Sequence, residues 1–207
     1  MTCLSYSRLM LVILTSVCFV AAYAQDEVAL QEILEHRTHQ DEEMRDAEKS
    51  PLEKSELEAF TGLNYFLPDL TYRVTARFIK NENPTVFKMK TTTPRLPEYV
   101  KYGEVHFTLR DTAYVLEVYQ NQQLMEVEGY EDYLFIPFTD RTNGDQTYEV
   151  GRYLNLRVPK TDELVIDFNL CYNPYCSYNN NYSCPIPPAV NSLPTAIRAG
   201  EKKYKSH

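Results

Sequence analysis

The chain has 207 residues, and its 29 acidic residues outnumber 21 basic residues, which gives a formal net charge of -8 at pH 7. This acidic balance excludes a surface of clustered Lys and Arg for nucleic acid, and it disfavours adhesion to anionic lipid, because both partners are bound through their phosphates. The length fits one globular domain, which the net charge keeps soluble through mutual repulsion.

The N-terminal segment predicts the compartment. One cation, Arg8, precedes an apolar run from Leu9 to Val20, and Ala22-Tyr23-Ala24 places small residues where signal peptidase requires them. The run is too short for a spanning helix. We therefore predict a signal peptide over residues 1–24, whose removal from the 207 residues leaves 183. The mature protein is expected to be secreted or periplasmic, with no membrane association.

Residues 25–49 predict a charged helical arm. Residues 36–43 are polar on all sides, which is typical of a helix that leaves the body of a protein. The following Ser50-Pro51-Leu52-Glu53 is a capping-box start, and Gly62 supplies a stop, so a second helix is predicted between them. The first turns of the arm carry an apolar stripe at helical spacing, formed by Ala29, Leu30, Ile33 and Leu34.

From residue 71 the hydrophobic period changes to two, which predicts strands. About seven strands follow at hairpin-like spacing, and we predict a single β-rich domain over residues 50–207. The predicted fold is mostly β, an antiparallel β-sandwich or open barrel with N-terminal helices and a short C-terminal helix over residues 193–199, α+β by strict count. Pro137 places its strand at an edge or a bulge. The predicted strands span residues 71–79, 85–92, 99–109, 113–120, 133–138, 146–158 and 164–168.

Residues 167–188, DFNLCYNPYCSYNNNYSCPIPP, match neither a helix nor a strand, because four prolines interrupt them. Their polar groups are mostly amides and phenols rather than Lys and Glu, which indicates an ordered loop. Long irregular loops in compact domains are commonly functional, so we expect this 167–188 loop to build the site of the domain. The lysine-rich tail beyond residue 200 is expected to fray.

Three cysteines remain after the predicted cleavage, Cys171, Cys176 and Cys184, and export exposes them to an oxidising compartment. The odd number leaves open a disulfide with one free thiol, a metal site or an intermolecular bond. Seven residues separate Cys176 from Cys184, which allows a small ring, and we predict this disulfide with Cys171 as a buried free thiol. Zinc is the alternative, but the gaps lack closely paired cysteines and no His lies nearby in the sequence, so no metal is predicted.

Three residues are candidates for catalysis: Asp167, Cys176 and His106. A nucleophilic Cys176 needs a base, and His106, in a predicted strand, is a histidine that the fold can bring to it. Asp167 ends a strand and needs a partner if it is buried, and Arg152 is the predicted partner because their strands are expected to be neighbours. Such a pair serves either as a structural bridge or as an acid–base site.

Tyrosine and asparagine side chains dominate the 167–188 loop, and they suit a polar small-molecule or sugar surface. The absence of Trp weakens the interpretation as a sugar site, and tyrosines are also common on exposed sheet faces. The residues predicted to contact a ligand are Arg152, Asp167, Asn169, Tyr172 and Asn173.

Four stretches resemble the domain of unknown function 1684 family: SPLEKSELEAFTGLNYFLPDLTYRV, LFIPFTDRTNGDQTYEVGRYLNL, DFNLCYNPYCSYNNNYSCPIPP and IRAGEKKY. They span nearly the whole predicted mature chain. The family has no agreed activity, and the resemblance implies a small residue in place of Cys171 and often an acidic one in place of Val190. The family pattern, carried over, matches Arg152, Asp167, Asn169, Tyr172, Asn173, Pro174, Cys176, Cys184, Pro185 and Asn191.

These observations predict a secreted, small-ligand-binding β-domain with its site between the 167–188 loop and the Arg152 strand. One alternative is a hydrolase-like enzyme that uses Asp167 or Cys176 with Arg152. The other is a structural or interaction protein without pocket chemistry. No nucleophile elbow, phosphate loop or dinucleotide motif occurs, so no cofactor is predicted. The sequence specifies neither the ligand nor the oligomeric state.

Overall fold

The structure is a computed structural model that describes residues 3–204, with side chains from Ala24 onward. The predicted signal peptide, residues 1–24, lies almost entirely outside the described side chains, and its cleavage stays a prediction. Within the described part of the chain, no helix combines the length and the apolar composition that crossing a membrane requires.

Two α-helices precede the sheet, α1 (Cys3–Arg45) and α2 (Lys54–Ala59). Short 3-10 turns connect later elements, and they span Leu70–Tyr72, Leu124–Glu126, Phe168–Leu170, Tyr175–Ser177 and Ala189–Asn191. The strands are β1 (Arg73–Lys80), β2 (Val86–Lys88), β3 (Glu98–Leu109), β4 (Thr112–Asn121), β5 (Tyr133–Phe138), β6 (Arg152–Arg157) and β7 (Glu163–Asp167).

The strands form a seven-stranded sheet in the order β6-β5-β4-β3-β1-β7, with β2 paired to β3 outside this path. Every named strand pair is antiparallel. The sheet curls into a half-barrel, so the predicted mostly β, antiparallel fold of about seven strands is confirmed. Consecutive strands β6 and β7 lie at its two ends rather than side by side.

Alternation along the strands explains two cores. Residues such as Val105, Phe107 and Leu116 face the concave side and form the main core, while Tyr119 and Phe135 face the other side. On that other side they pack with the tyrosines and two cysteines of a second core. The β3 register shifts between Lys101 and Gly103, as in a β-bulge.

The C-terminal segment closes the open side of the half-barrel. Leu193 and Ile197 are buried in the main core, and residues 193–199 form no helix, contrary to prediction. The reason is that its backbone forms hydrogen bonds with the residue that follows β5 instead of within the segment: the Leu193 N–H donates to the carbonyl of Thr139 at 2.8 Å.

Helix α1 lies against the body instead of leaving it. Ile33 and Met44 are buried, the Asp41 carboxylate accepts the Leu63 N–H at 2.9 Å, and the Arg37 guanidinium stacks 4.5 Å above the Tyr65 ring centroid. Polar residues between positions 36 and 43 therefore contact the domain. The even distribution of polar residues around the helix had indicated an arm that leaves the body.

Candidate functional site

Arg152 is fully buried at the start of β6, where it joins separate parts of the chain. Its Nη2 donates to Asp140 Oδ2 at 2.9 Å and to the carbonyl of Ile197 at 2.7 Å. Its Nη1 donates to the carbonyls of Ala199 and Glu201 at 2.5 and 3.1 Å. Charge-assisted bonds of this kind are strong, and here they fasten the C-terminal segment to the sheet.

The predicted ion pair between Arg152 and Asp167 is wrong. Asp167 pairs with Arg73 at 3.0 Å, and Asp140 occupies the place beside Arg152. The error comes from the topology, because β6 and β7 lie at opposite ends of the sheet. Asp167 also caps the 3-10 turn that follows it, since its Oδ1 accepts the Asn169 N–H at 2.9 Å.

The other residues predicted to contact a ligand also make internal bonds. The Asn169 side chain binds the backbone N–H and C=O of Asp69 at 3.0 and 2.9 Å. The Tyr172 hydroxyl donates to a β6 asparagine at 2.5 Å, and the Asn173 amide donates to a carbonyl of the C-terminal tail at 2.8 Å. These bonds join the 167–188 loop to the body, so the space between this loop and β6 is packed rather than open.

Glu201 is a site residue that sequence reasoning missed. It is 1% exposed, its Oε2 accepts the Asn173 N–H at 2.6 Å, and its Oε1 accepts the Tyr178 hydroxyl. Burial raises the pKa of this carboxyl to about 7. Its position in the stretch IRAGEKKY was visible, but a Glu followed by two Lys is typical of a solvated tail, and the predicted fraying is wrong for this residue.

The three described cysteines all carry free thiols. Cys171 lies in the main core against Ala199, and burial raises its pKa to about 11. Cys176 and Cys184 lie together in the second core, where the Cys176 N–H donates to the Cys184 Sγ at 3.2 Å. The predicted disulfide between them stays a prediction, and the fold has placed its two sulfurs side by side.

The structure does not form the candidate dyad of Cys176 and His106. His106 lies in the middle of β3 on the face away from the main core, and its Nε2 is 2.9 Å from Glu104. The same face holds Lys101, which bridges Glu104 and Glu117 at 2.6 and 2.7 Å. The hydrogen bonds of the described residues assign His106 to this charged cluster and Cys176 to the second core.

A cavity of about 350 Å³ opens at one end of the concave face of the half-barrel. It lies between the end of β1, the β3 bulge and the end of β4, which gives it both apolar walls and polar groups at the rim. We call it the mouth cavity, and its lining residues are Lys80, Asn81, Glu82, Pro84, Val86, Val100, Tyr102, Gln120, Gln122 and Met125.

A second groove of about 610 Å³ runs between residues 24–29 of α1 and strands β1 and β7. Its charged donor, Arg73, is already paired with Asp167 and Glu32 at 3.0 Å each. Across the part of the chain that the structure describes, no group of three or more His, Cys, Asp or Glu is arranged to hold a metal ion.

Comparison with known proteins assigns the chain to a family. The model of the family described as Protein of unknown function (DUF1684) matches residues 58–202. The solution NMR structure of the uncharacterized protein from gene locus rrnAC0354 of Haloarcula marismortui is similar, with a TM-score of 0.69 and 33% sequence identity over 88% of this chain and 98% of that chain. No curated protein matches. The chain therefore belongs to the DUF1684 family of proteins of unknown function.

Proposed function

We propose that this domain binds a small organic acid with an apolar or aromatic body in the mouth cavity. The observation that carries the proposal is the position and lining of this cavity, which holds about 350 Å³ at the open end of the concave face. Pockets with apolar walls and a few convergent polar groups, in the mouths of β-barrels, are common small-ligand sites. The ligand site then lies at the ends of β1, β3 and β4, instead of between the 167–188 loop and the Arg152 strand.

The lining of the mouth cavity supports this class of ligand. Val86, Val100 and the ring of Tyr102 form its apolar walls. Lys80 and Glu82 are the charged residues of its lining, and Lys80 is the one that attracts an acid. The Lys80 Nζ lies 5.6 Å from the centroid of the Tyr102 ring. A carboxylate bound to Lys80 therefore brings an attached aromatic or aliphatic body onto Tyr102.

The larger groove beside α1 is the less suitable site. Its wall includes Ala24 and Gln25, which border the predicted cleavage point, so cleavage would remodel it. Its guanidinium, from Arg73, is held by two carboxylates, and a ligand acid would compete with both of them. The lining of the mouth cavity, by contrast, includes no residue that borders the predicted cleavage point.

Filling the mouth cavity tests the proposal. Val86 is 51% exposed and lines the cavity, so we expect Val86→Trp to occupy it while leaving the fold intact. With phenylacetate as the probe, amide shifts of the mature chain in two-dimensional NMR report binding, and Val86→Trp is expected to weaken it by at least about tenfold, equivalent to about 1.4 kcal/mol. Val115→Trp is the matched control, since Val115 is 43% exposed on β4 outside the cavity lining.

The charge of Lys80 has a separate test. Lys80→Met is expected to weaken phenylacetate binding by about two- to fivefold, because an exposed ion pair contributes up to about 1 kcal/mol. The neutral probe phenylacetamide should bind both proteins equally. Lys88→Met, on the neighbouring β2 and outside the cavity lining, is the control for net charge. Shifts that map to the groove beside α1, or that survive Val86→Trp, would contradict the proposed site.

We propose further that the mature domain works outside the cytoplasm. The support is the predicted signal peptide over residues 1–24, and the test is the N-terminal sequence of protein recovered from the periplasm or the medium. Cleavage before Gln25 is the expected result, and recovery of the intact N-terminus from the cytoplasm alone would contradict export. The hydrolase-like alternative has less support, because Arg152 contacts Asp140 and backbone carbonyls rather than Asp167 or Cys176.

A further inference from the structure

Cys176 and Cys184 are held next to each other by two different supports. Cys176 lies on the 3-10 turn Tyr175–Ser177. Cys184 is fixed from the other side, because its N–H donates to the Thr92 hydroxyl at 3.1 Å and its carbonyl accepts the Thr92 N–H at 2.9 Å. The Cys176 N–H then donates to the Cys184 Sγ at 3.2 Å. Two sulfurs positioned in this way can join with little rearrangement of the backbone.

The Cys176 sulfur is surrounded by hydrogen-bond donors. The Cys184 thiol and the Thr92 hydroxyl donate to it, and the Tyr148 hydroxyl lies 3.6 Å away. The hydrogen bond from the Cys184 thiol, together with those from the Tyr148 and Thr92 hydroxyls, lowers the Cys176 pKa to about 7. The same bond raises the pKa of Cys184, which keeps the shared proton. These donors favour the thiolate form of Cys176, which is the form that attacks other sulfurs.

From this arrangement we propose that Cys176 and Cys184 form a reversible dithiol–disulfide couple that exchanges with small-molecule disulfides, with Cys176 as the attacking sulfur and Cys184 as the resolving one. The proposal stands apart from ligand binding in the mouth cavity, since the two sites share no residue. It also goes beyond a fixed structural bridge, because it assigns a direction and a different role to each thiol.

The exchange proceeds in two steps. The Cys176 thiolate attacks one sulfur of a disulfide RSSR, so a Cys176–SR bond forms and one RS⁻ leaves. The first step consumes the negative charge of the Cys176 thiolate, which had stabilised the Cys184 thiol proton. Cys184 therefore loses its proton and attacks the Cys176 sulfur, and this attack expels the second RS⁻. The two protein thiols lose two electrons and two protons, and RSSR becomes two RSH. A small dithiol reverses both steps.

Thiol counting on the mature chain tests the couple without any variant. The reduced protein is equilibrated in glutathione buffers of increasing oxidised fraction, quenched in acid, alkylated in denaturant and weighed. We expect two thiols to disappear together and a peptide with a Cys176–Cys184 bond to appear, while Cys171 stays reduced as the internal control. Three free thiols in the most oxidising buffer, or a bond to Cys171, would overturn the proposal.

The roles of the two sulfurs are separated by variants. Cys184→Ser should stop at a glutathione adduct on Cys176, and Cys176→Ser should react at least about tenfold more slowly, whereas Cys171→Ser should oxidise like the wild type. If a variant fails to fold, the pH dependence of the alkylation of the wild type by iodoacetamide identifies the attacking sulfur. The Cys176 rate should be half-maximal near pH 7, and Cys171, which is 1% exposed against 7% for Cys176, should react more slowly in the native state. A half-maximal rate near the ordinary thiol pKa of about 8.5 would contradict the assignment of Cys176 as the attacking sulfur.

Discussion

Glu201 shows how a single buried carboxyl can make the stability of this domain depend on pH. The folded protein gives it two hydrogen-bond donors, the Asn173 N–H and the Tyr178 hydroxyl, but removes it from water. The loss of water has the larger effect, and the pKa rises from 4.5 to about 7. The folded state therefore binds this proton more tightly than the unfolded chain does.

The sign of the resulting pH dependence can be tested with Glu201→Gln. Because the folded-state pKa lies above the unfolded one, the stabilising proton is lost as pH rises from about 4.5 to about 7, so the wild-type free energy of unfolding should fall over that range. Glu201→Gln should remove most of this fall, which is on the order of 2–3 kcal/mol. Urea unfolding between pH 5 and 8 measures it.

The matched control for that experiment is Glu149→Gln, which alters a partly exposed carboxyl paired with Lys203 at 3.7 Å. This control should keep the wild-type slope. Burial lowers the His36 pKa, which gives a slope of opposite sign, but this contribution is present in all three proteins and cancels in the comparison. Equal slopes in wild type and Glu201→Gln would show that Glu201 is ionised in the fold.

Partners at the residue scale could not be read from the sequence. The need of a buried Asp167 for a cation was predicted correctly, but the cation is Arg73 rather than Arg152. The choice depends on which strands are neighbours, and alternation within a strand carries no information about sheet order. In the same way, the charged residues around Glu201 in the sequence do not indicate that its side chain is buried against the 167–188 loop, where it accepts the N–H of Asn173, 28 residues earlier.

The junction between β4 and β5 depends on one side chain from outside both strands. The register joins these strands directly at Tyr119 and Phe135, and Pro137 has no N–H to offer β4. Asn191 supplies the missing bonds: its Oδ1 accepts the Glu117 N–H at 2.8 Å, and its Nδ2 donates to the carbonyls of Glu117 and Pro137 at 2.9 and 2.8 Å. The amide therefore takes the place of a peptide group in the sheet.

Asn191→Ala should accordingly weaken the sheet at this junction. It leaves one N–H and two carbonyls without partners in a fully buried place, and each such group costs about 1–3 kcal/mol unless water enters. We expect the free energy of unfolding to drop by roughly 2–4 kcal/mol and the Glu117 amide to exchange its hydrogen faster. Asn180→Ala, in the exposed part of the 167–188 loop, should change neither quantity by more than about 0.5 kcal/mol.

Elements were more predictable than their connections. The period of two located β5, which was predicted over 133–138 and observed at Tyr133–Phe138, but the strands predicted over 85–92 and 146–158 are shorter, Val86–Lys88 and Arg152–Arg157. The edge or bulge position predicted from Pro137 is wrong, because β5 lies between β4 and β6 and the Asn191 amide bonds the proline carbonyl. The capping-box helix begins at Lys54 rather than Pro51, since Leu52 is buried against Met44 and Tyr178 instead of entering the first turn.

At the scale of the whole molecule, the fold is closed by a segment that crosses the half-barrel rather than by pairing of its end strands. Residues 193–201 cover the concave face, and Arg152 holds their carbonyls from β6 while Asp140 neutralises its charge. A hydrophobic pattern can predict that a sheet has a buried face, but it does not say which segment covers that face. This is why a helix was expected over residues 193–199.

Removing the Arg152 side chain should therefore destabilise the entire domain rather than one strand. Arg152→Met leaves the Asp140 charge buried without its partner, a change that costs about 3–5 kcal/mol, against a total stability of about 5–15 kcal/mol. Arg157→Met on the same strand removes an arginine that is 55% exposed, and it should cost less than about 1 kcal/mol. Urea unfolding at pH 7 compares the two variants.

Adding Asp140→Asn to Arg152→Met should recover part of the lost stability, because the unpaired charge is gone. The Asn side chain keeps the oxygen that accepts the Thr142 and Ile197 N–H groups. If Arg152→Met and Arg157→Met lowered the free energy of unfolding equally, the C-terminal segment would be held by its apolar contacts alone.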